Sequence, residues 1–239
     1  MVDKYTEDFN LFWQMIENNK NFTFLRFADG EILLMEGRQI GGGTQALEVD
    51  NWSSPNFLTK VGRELNNVFD LDGDDVFYAI SSKSDNINDY YYLSNKIKNK
   101  KNITFANLWI NANYKNHKEK LKSLRRPVNL ICNKNVLQSE LPFDVNKIFP
   151  FPDDCINFWD SNSENFLNDL LPYVKDSKDQ LFFICCGPVS EIIIHKLYKE
   201  NKYNTYVDMG SSIDEFIHNK KTRPYMYENG PYSQEKSYF

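Results

Sequence analysis

The sequence predicts an α/β fold: a Rossmann-like, mostly parallel sheet flanked by helices. Three observations lead there. Short apolar, β-prone runs alternate with amphipathic helical stretches along most of the chain. Polar and charged residues gather directly after those runs, at the edge where an open parallel sheet binds its ligands. Residues 180–208 read as one complete strand–helix–strand unit. With 239 residues the chain can bury one large core, and no internal repeat or low-complexity linker divides it. We therefore expect a single domain over 1–225 and a C-terminal arm over 226–239.

Residues 4–20 place Phe9, Phe12, Trp13 and Ile16 at helical spacing, an amphipathic helix that covers a core. The first strand is Asn21-Phe22-Thr23-Phe24-Leu25, followed by Arg26-Phe27-Ala28-Asp29-Gly30-Glu31 and a helix-prone apolar run. Gly41-Gly42-Gly43-Thr44-Gln45 is a flexible loop without dinucleotide or P-loop spacing. Ser54-Pro55 precedes a helix over 56–69 that carries Phe57, Leu58, Val61, Leu65 and Phe69 inward. The second strand, 76–80, is followed by Ser81-Ser82-Lys83-Ser84, which either meets phosphate or sugar or caps the helix starting near Asn86. The third, 103–106, leads into Asn107-Leu108-Trp109-Ile110-Asn111-Ala112-Asn113-Tyr114, asparagines among aromatics that suit a polar ring or a sugar.

A helix over 114–124 and a fourth strand over 127–132 come next, the strand ending in Asn133-Lys134-Asn135. A short fifth strand over 147–150 ends in Pro152-Asp153-Asp154-Cys155, and a helix covers 161–174. The sixth strand runs straight into Cys186-Gly187-Pro188 and a helix carrying Val189, Ile192, Ile193 and Leu197. Free N–H groups at that helix start suit a diphosphate, although Pro188 has none to give. His195 reads as a packed histidine. The last strand, 205–208, ends in Met209-Gly210-Ser211-Ser212-Ile213-Asp214.

Composition narrows the function classes. Hydrophobic residues make up 41% and aromatics 15%, as in a globular protein. A net charge of −5 argues against a nucleic-acid partner. The four cysteines form no C-x-x-C pair and the three histidines no zinc spacing, which fits a reduced, cytoplasmic setting. No signal peptide is expected, and no apolar run approaches the ~20 residues of a membrane span. Peripheral association with membrane-bound enzymes stays compatible with all of this.

The chemistry concentrates at Arg26-Phe27-Ala28-Asp29-Gly30-Glu31. Asp29 and Glu31 are two positions apart, so a turn at Gly30 would let both carboxylates converge on one hard cation. Arg26 adds a fixed positive charge suited to phosphate. The same residues also read as a plain turn, with Asp29 capping the next helix.

The stretch Arg26–Glu31 resembles the R-F-G-D-G-E signature of the GT-D type bacterial glycosyltransferases, with Ala28 where Gly is usual. Further stretches match in the same order: 107–114, the Cys185-Cys186-Gly187-Pro188 turn, the D-x-G-S-x-x-D block at 208–214, and Thr222-Arg223-Pro224-Tyr225. The resemblance spans about residues 22–225 and implies a GT-D type fold. It also implies metal-dependent transfer of a sugar from a nucleotide sugar, a UDP-sugar as first expectation, to a glycan or glycopeptide acceptor. The setting would be bacterial surface polysaccharide or glycoprotein synthesis. Its D-x-E element falls on Asp29 and Glu31, implied ligands of Mn²⁺ or Mg²⁺ and implied catalytic residues. Arg26, Asn107, Asn111, Lys134, Cys186, Gly187, Pro188, Asp208 and Ser211 are the candidates for holding the nucleotide sugar. The general base stays open among Glu31, Asp153, Asp154 and Asp208. Two other readings use the same residues: a metal-dependent phosphohydrolase of nucleotides or sugar phosphates, and a non-catalytic nucleotide-sugar-binding subunit.

Overall fold

Seven strands form one sheet, and every pairing in it is parallel. In chain order they are β1 (Thr23–Phe27), β2 (Val76–Ile80), β3 (Ile103–Phe105), β4 (Val128–Asn133), β5 (Val145–Phe151), β6 (Leu181–Ile184) and β7 (Thr205–Asp208). In space the order is β3-β2-β1-β7-β6-β4-β5. This is a computed structural model, and it describes residues 3–40 and 54–239. The glycine run 41–45 and Trp52 lie outside the described residues.

Parallel strands need long crossovers, and helices supply them on both faces. One face carries α2 (Asp29–Met35), α3 (Lys60–Asn67), α4 (Ile87–Lys96), α6 (Cys155–Lys175) and α7 (Ser190–Glu200). The other carries α1 (Lys4–Glu17) and α5 (Tyr114–Ser123). With both faces covered, the strands can be apolar almost throughout, as in the Leu-Phe-Phe-Ile of β6. Neighbouring residues of β1 divide between the layers. Phe24 packs with Phe12 and Trp109 under α1, while Leu25 and Phe27 join the cluster under α2 and α3.

Several elements differ from the sequence reading. β1 extends through Arg26 to Phe27, because Arg26 and Phe27 pair in register with Ala79 and Ile80. The helix expected over 56–69 begins only at Lys60. Thr59 is its N-cap and accepts the Gly62 N–H, so Phe57 and Leu58 precede the helix and are exposed rather than buried. α6 starts at Cys155, six residues before 161, since Cys155, Ile156, Trp159 and Ser163 already bury one helical face. β5 holds Pro150 because it is an edge strand and tolerates the missing N–H. His195 is buried, with Nε2 2.8 Å from Asp70 Oδ1.

The C-terminal segment lies across the exits of β2 and β3. Phe239 stacks on Phe105 with ring centroids 4.3 Å apart. Ser237 Oγ donates to Asp85 and receives the Asn107 side-chain amide, and Ser84 and Tyr238 bond through backbone and hydroxyl. The Ser81–Ser84 run makes turn and capping bonds of its own, with Ser82 Oγ 2.8 Å from Asp85 Oδ2.

α2 and α3 touch closely only because residue 62 has no side chain. A Cβ there would collide with the Leu34 carbonyl oxygen, which is backbone and cannot yield. Gly62→Ala is expected to destabilise the protein by about 1–3 kcal/mol, the usual range for overpacking. Chemical denaturation would show this as a lowered midpoint with an unchanged slope.

Candidate active site

A cavity of about 500 Å³ opens at the carboxyl edge of the sheet. It is lined from the exits of five strands. β1 contributes Arg26 and Ala28 to Glu31, and β4 contributes Asn133. β5 gives Phe151, Pro152 and Asp153, β6 gives Cys185 to Pro188, and β7 gives Gly210, Ser211 and Asp214. β1 is where chain order reverses, with β2 on one side and β7 on the other, the place at which open α/β sheets form a ligand crevice.

Arg26 is the centre of its charge. Its Nε donates to Asp208 Oδ2 at 3.1 Å, and the Gly210 N–H donates to Asp208 Oδ1 at 2.8 Å. Asp208 is fully buried and does not line the cavity; it holds Arg26 from behind. Gly210 has φ +49°, and a Cβ there would stand 2.7 Å from Arg26 Nε. The missing side chain therefore makes room for the guanidinium. Burial works against its charge, but Asp208, Glu31 and Glu191 outweigh that and raise its pKa. Arg26 is a permanent cation, and among the described residues only its Nε is hydrogen-bonded.

Asp29 and Glu31 both reach the cavity from the first turn of α2. Gly30 makes no left-handed turn; α2 simply begins at Asp29. Glu31 turns inward and accepts the Ala28 N–H at 2.8 Å, closing the helix start. Burial raises its pKa against the opposing pull of Arg26 and that N–H. Asp29 stays exposed, with no hydrogen bond or ion pair to the described residues. No group of three or more His, Cys, Asp or Glu that could hold a metal occurs among the described residues. One free carboxylate and one half-committed carboxylate nevertheless fit a Mg²⁺-like ion that takes its remaining ligands from phosphate and water.

The β6 exit turns through Gly187 at φ +54°. α7 then starts at Ser190, and the N–H groups of Val189 and Ser190 are spent on Cys186 and Gly187 carbonyls within the turn. The helix start therefore offers fewer free donors than its sequence promises. Burial pushes the Cys185 and Cys186 thiols well above their usual range, so both are neutral and poor nucleophiles. Ser211 and Asp214 meet the C-terminal motif. Ser211 Oγ lies 2.8 Å from Tyr225 Oη, and Thr222 Oγ1 donates to Asp214 at 3.0 Å. Arg223 and His218 also line the cavity.

Of the candidates named from sequence, Arg26, Asp29, Glu31, Cys186, Gly187, Pro188 and Ser211 line the cavity, and Asp208 backs it. Asn107, Asn111 and Lys134 lie outside it. Asn107 sits at the β3 exit, bonded to Ser237, and the buried Asn111 serves a turn at φ +54°. Lys134 is exposed beyond the cavity wall, which Asn133 forms instead. Among the base candidates, Asp208 is spent on Arg26 and Gly210, Asp154 is exposed and bonded to Asn157, and Asp153 lines the cavity.

Glu191 escaped the sequence reading. It is fully buried in the first turn of α7, and neither carboxyl oxygen has a hydrogen-bond donor among the described residues. Burial first, then Asp208 and Glu31, push its pKa well above the ordinary Glu range. A proton on Glu191 relieves both problems, because it can be donated to Asp208. The signal was present as one acid inside the run Val189-Ser190-Glu191-Ile192-Ile193-Ile194.

No protein-family model and no curated protein matches the chain. Two solved structures are similar to it. One is described as the selenomethionine-substituted structure of domain of unknown function 1792, at TM-score 0.53 and 14% identity. The other is described as "The highly conserved domain of unknown function 1792 has a distinct glycosyltransferase fold", at TM-score 0.52 and 15% identity. Each comparison covers 94% of this chain and 86% of the other. At such identities the likeness is one of fold. The chain has this glycosyltransferase-type fold. Among the described residues, no helix is long and apolar enough to cross a membrane.

The raised pKa of Glu191 makes a signed prediction. The folded protein keeps its proton at pH values where the unfolded chain has lost it, so stability falls as pH rises above the ordinary Glu pKa of about 4.3. Glu191→Gln removes that loss while keeping a donor for Asp208. Its melting temperature is expected to match wild type near pH 4 and to exceed it by a growing margin toward pH 8.

Proposed function

We propose that the protein is a glycosyltransferase that moves a sugar from a nucleotide sugar, with UDP-sugars as first choice, to a glycan or glycopeptide acceptor. The observation that carries this reading is Arg26. It is a permanent cation, fixed by Asp208 and Gly210 at the edge of a cavity, in a fold described elsewhere as that of a glycosyltransferase. A guanidinium held through Nε keeps its outer N–H groups for a phosphate.

In this reading the donor diphosphate lies against Arg26, with Arg223 as a second cation at the wall. Asp29 and the uncommitted oxygen of Glu31 would hold Mn²⁺ or Mg²⁺, which when bound offsets negative charge on the departing nucleoside diphosphate. Arg26 stabilises the same charge from the other side. Its position does not depend on substrate, so little reorganisation is needed as the charge develops. Acceptor glycans assembled at a membrane would bring this protein there peripherally, and the enzyme itself would work in the cytoplasm.

The test is UDP release from a panel of UDP-sugars with simple glycosides as acceptors, in Mn²⁺ or with chelator. Metal-dependent release that rises with acceptor is expected, and Asp29→Ala should lower it on the order of 100-fold. Free phosphate from simple phosphate esters, without acceptor dependence, would point to a phosphohydrolase and overturn the transferase reading. Binding of a nucleotide sugar without turnover under any condition would reduce the protein to a carrier.

A further inference from the structure

The cavity wall is divided. At the β1 and β7 exits it is polar, with Arg26, Gly210 and Ser211. At the β5 exit it is formed by the half-buried Pro152 and the nearly fully buried Phe151, Ile40 is also in the lining, and the next residue of the chain is a carboxylate: Asp153. Asp153 is half-buried. Its backbone carbonyl accepts the Cys155 N–H, but its side chain meets no donor or cation among the described residues. Asp29, also unpaired, is exposed and belongs to the β1 side; the remaining acids near the cavity are engaged. Asp208 holds Arg26, Asp214 takes Thr222, and Glu31 takes Ala28 N–H.

A cavity carboxylate without a protein donor is left to water until a ligand supplies one. Whatever completes it must bring O–H or N–H groups and no negative charge. A phosphate is therefore turned away, whereas the adjacent hydroxyls of a ribose are what such a carboxylate accepts. The half-buried Pro152 beside it offers apolar surface to the flat face of a base. Asn133, next in the wall, spends its side-chain oxygen on the Asn135 N–H, which leaves its NH₂ to donate to a base carbonyl.

We propose that the β5 side of the cavity is a nucleoside subsite in which Asp153 accepts the ribose hydroxyls of a nucleoside diphosphate whose phosphates reach Arg26. This rests on the nucleotide-sugar reading and gives the donor a direction. The nucleoside lies toward β4 and β5, and the transferred sugar lies beyond the diphosphate, toward the β1 and β7 exits.

Calorimetric titration in Mn²⁺ tests this. UDP, GDP, CDP and ADP are compared on wild type, and the tightest is carried forward with its 2′,3′-dideoxy analogue and with inorganic pyrophosphate. Asp153→Ala should weaken the ribonucleoside diphosphate about ten-fold or more, as for a lost hydrogen bond to a charged group. The dideoxy analogue should bind wild type that much more weakly and lose nothing further in the variant. Pyrophosphate should bind both proteins alike, and Asp153→Asn should fall between. Thermal melts of both variants establish that they are folded. Unchanged nucleotide affinity in Asp153→Ala overturns the assignment while the transferase reading stands. So does normal affinity with lost turnover, which would place Asp153 at the acceptor hydroxyl instead. If no nucleoside diphosphate binds wild type, the nucleotide-sugar reading fails and the subsite fails with it.

Discussion

Everything at the ligand edge depends on keeping a guanidinium charged at the end of a buried strand. Arg26 is the one charged residue near the end of a strand that is otherwise Thr-Phe-Leu and Phe, between two apolar layers. Such a charge is tolerable only with a well-placed partner. Asp208 is that partner, from the neighbouring strand, and its second oxygen is fixed by the Gly210 N–H. Burying a pair of this kind seldom adds net stability over apolar packing. Its use lies elsewhere, in a positive charge held still and aimed at a cavity. Glu31 and Glu191 deepen the same requirement, since each brings another carboxyl into a region short of water.

Two devices divide the carboxyl edge of the sheet. The exits of β1, β4, β5, β6 and β7 surround the cavity. The exits of β2 and β3 are occupied by the chain's own C-terminal segment, through Ser237, Tyr238 and Phe239. The arm thus satisfies polar groups that a parallel sheet would otherwise present to solvent, and it leaves the cavity to the exits of the other five strands. The motif blocks around Ser211 and Thr222 also meet at this boundary, where Tyr225 and Thr222 fix Ser211 and Asp214.

Much of this was legible in the residues. The alternation of strands and helices came through because parallel strands buried on both faces are nearly all apolar and stand out from amphipathic helices. Arg26, Asp29, Gly187 and Ser211 fell on strand exits, and strand exits are where the cavity is. Asn107 and Asn111 also follow a strand but lie outside the cavity, because sequence does not tell which exits the chain itself covers; Lys134 follows β4, whose exit lines the cavity through Asn133 instead. β3 is an edge strand, and the C-terminal segment covers its exit. The turn that Gly30 permits is not taken for a local reason: α2 begins at once, with Asp29 as its first residue. Glu191 was hidden because its importance comes from Asp208 and Glu31, one on another strand and one on another helix.

The order of the strands sets when this site can exist during synthesis. Arg26 and Asp208 are 182 residues apart in sequence, yet their strands lie side by side at the middle of the sheet. A chain synthesised only as far as β6 lacks the strand that pairs with both β1 and β6, and Arg26 then lacks Asp208 as its counter-ion. Contacts of such long range make folding slow, because a large loop must close before any of them is gained. The cavity wall and the ion pair that fixes its cation are complete only once β7 is in place.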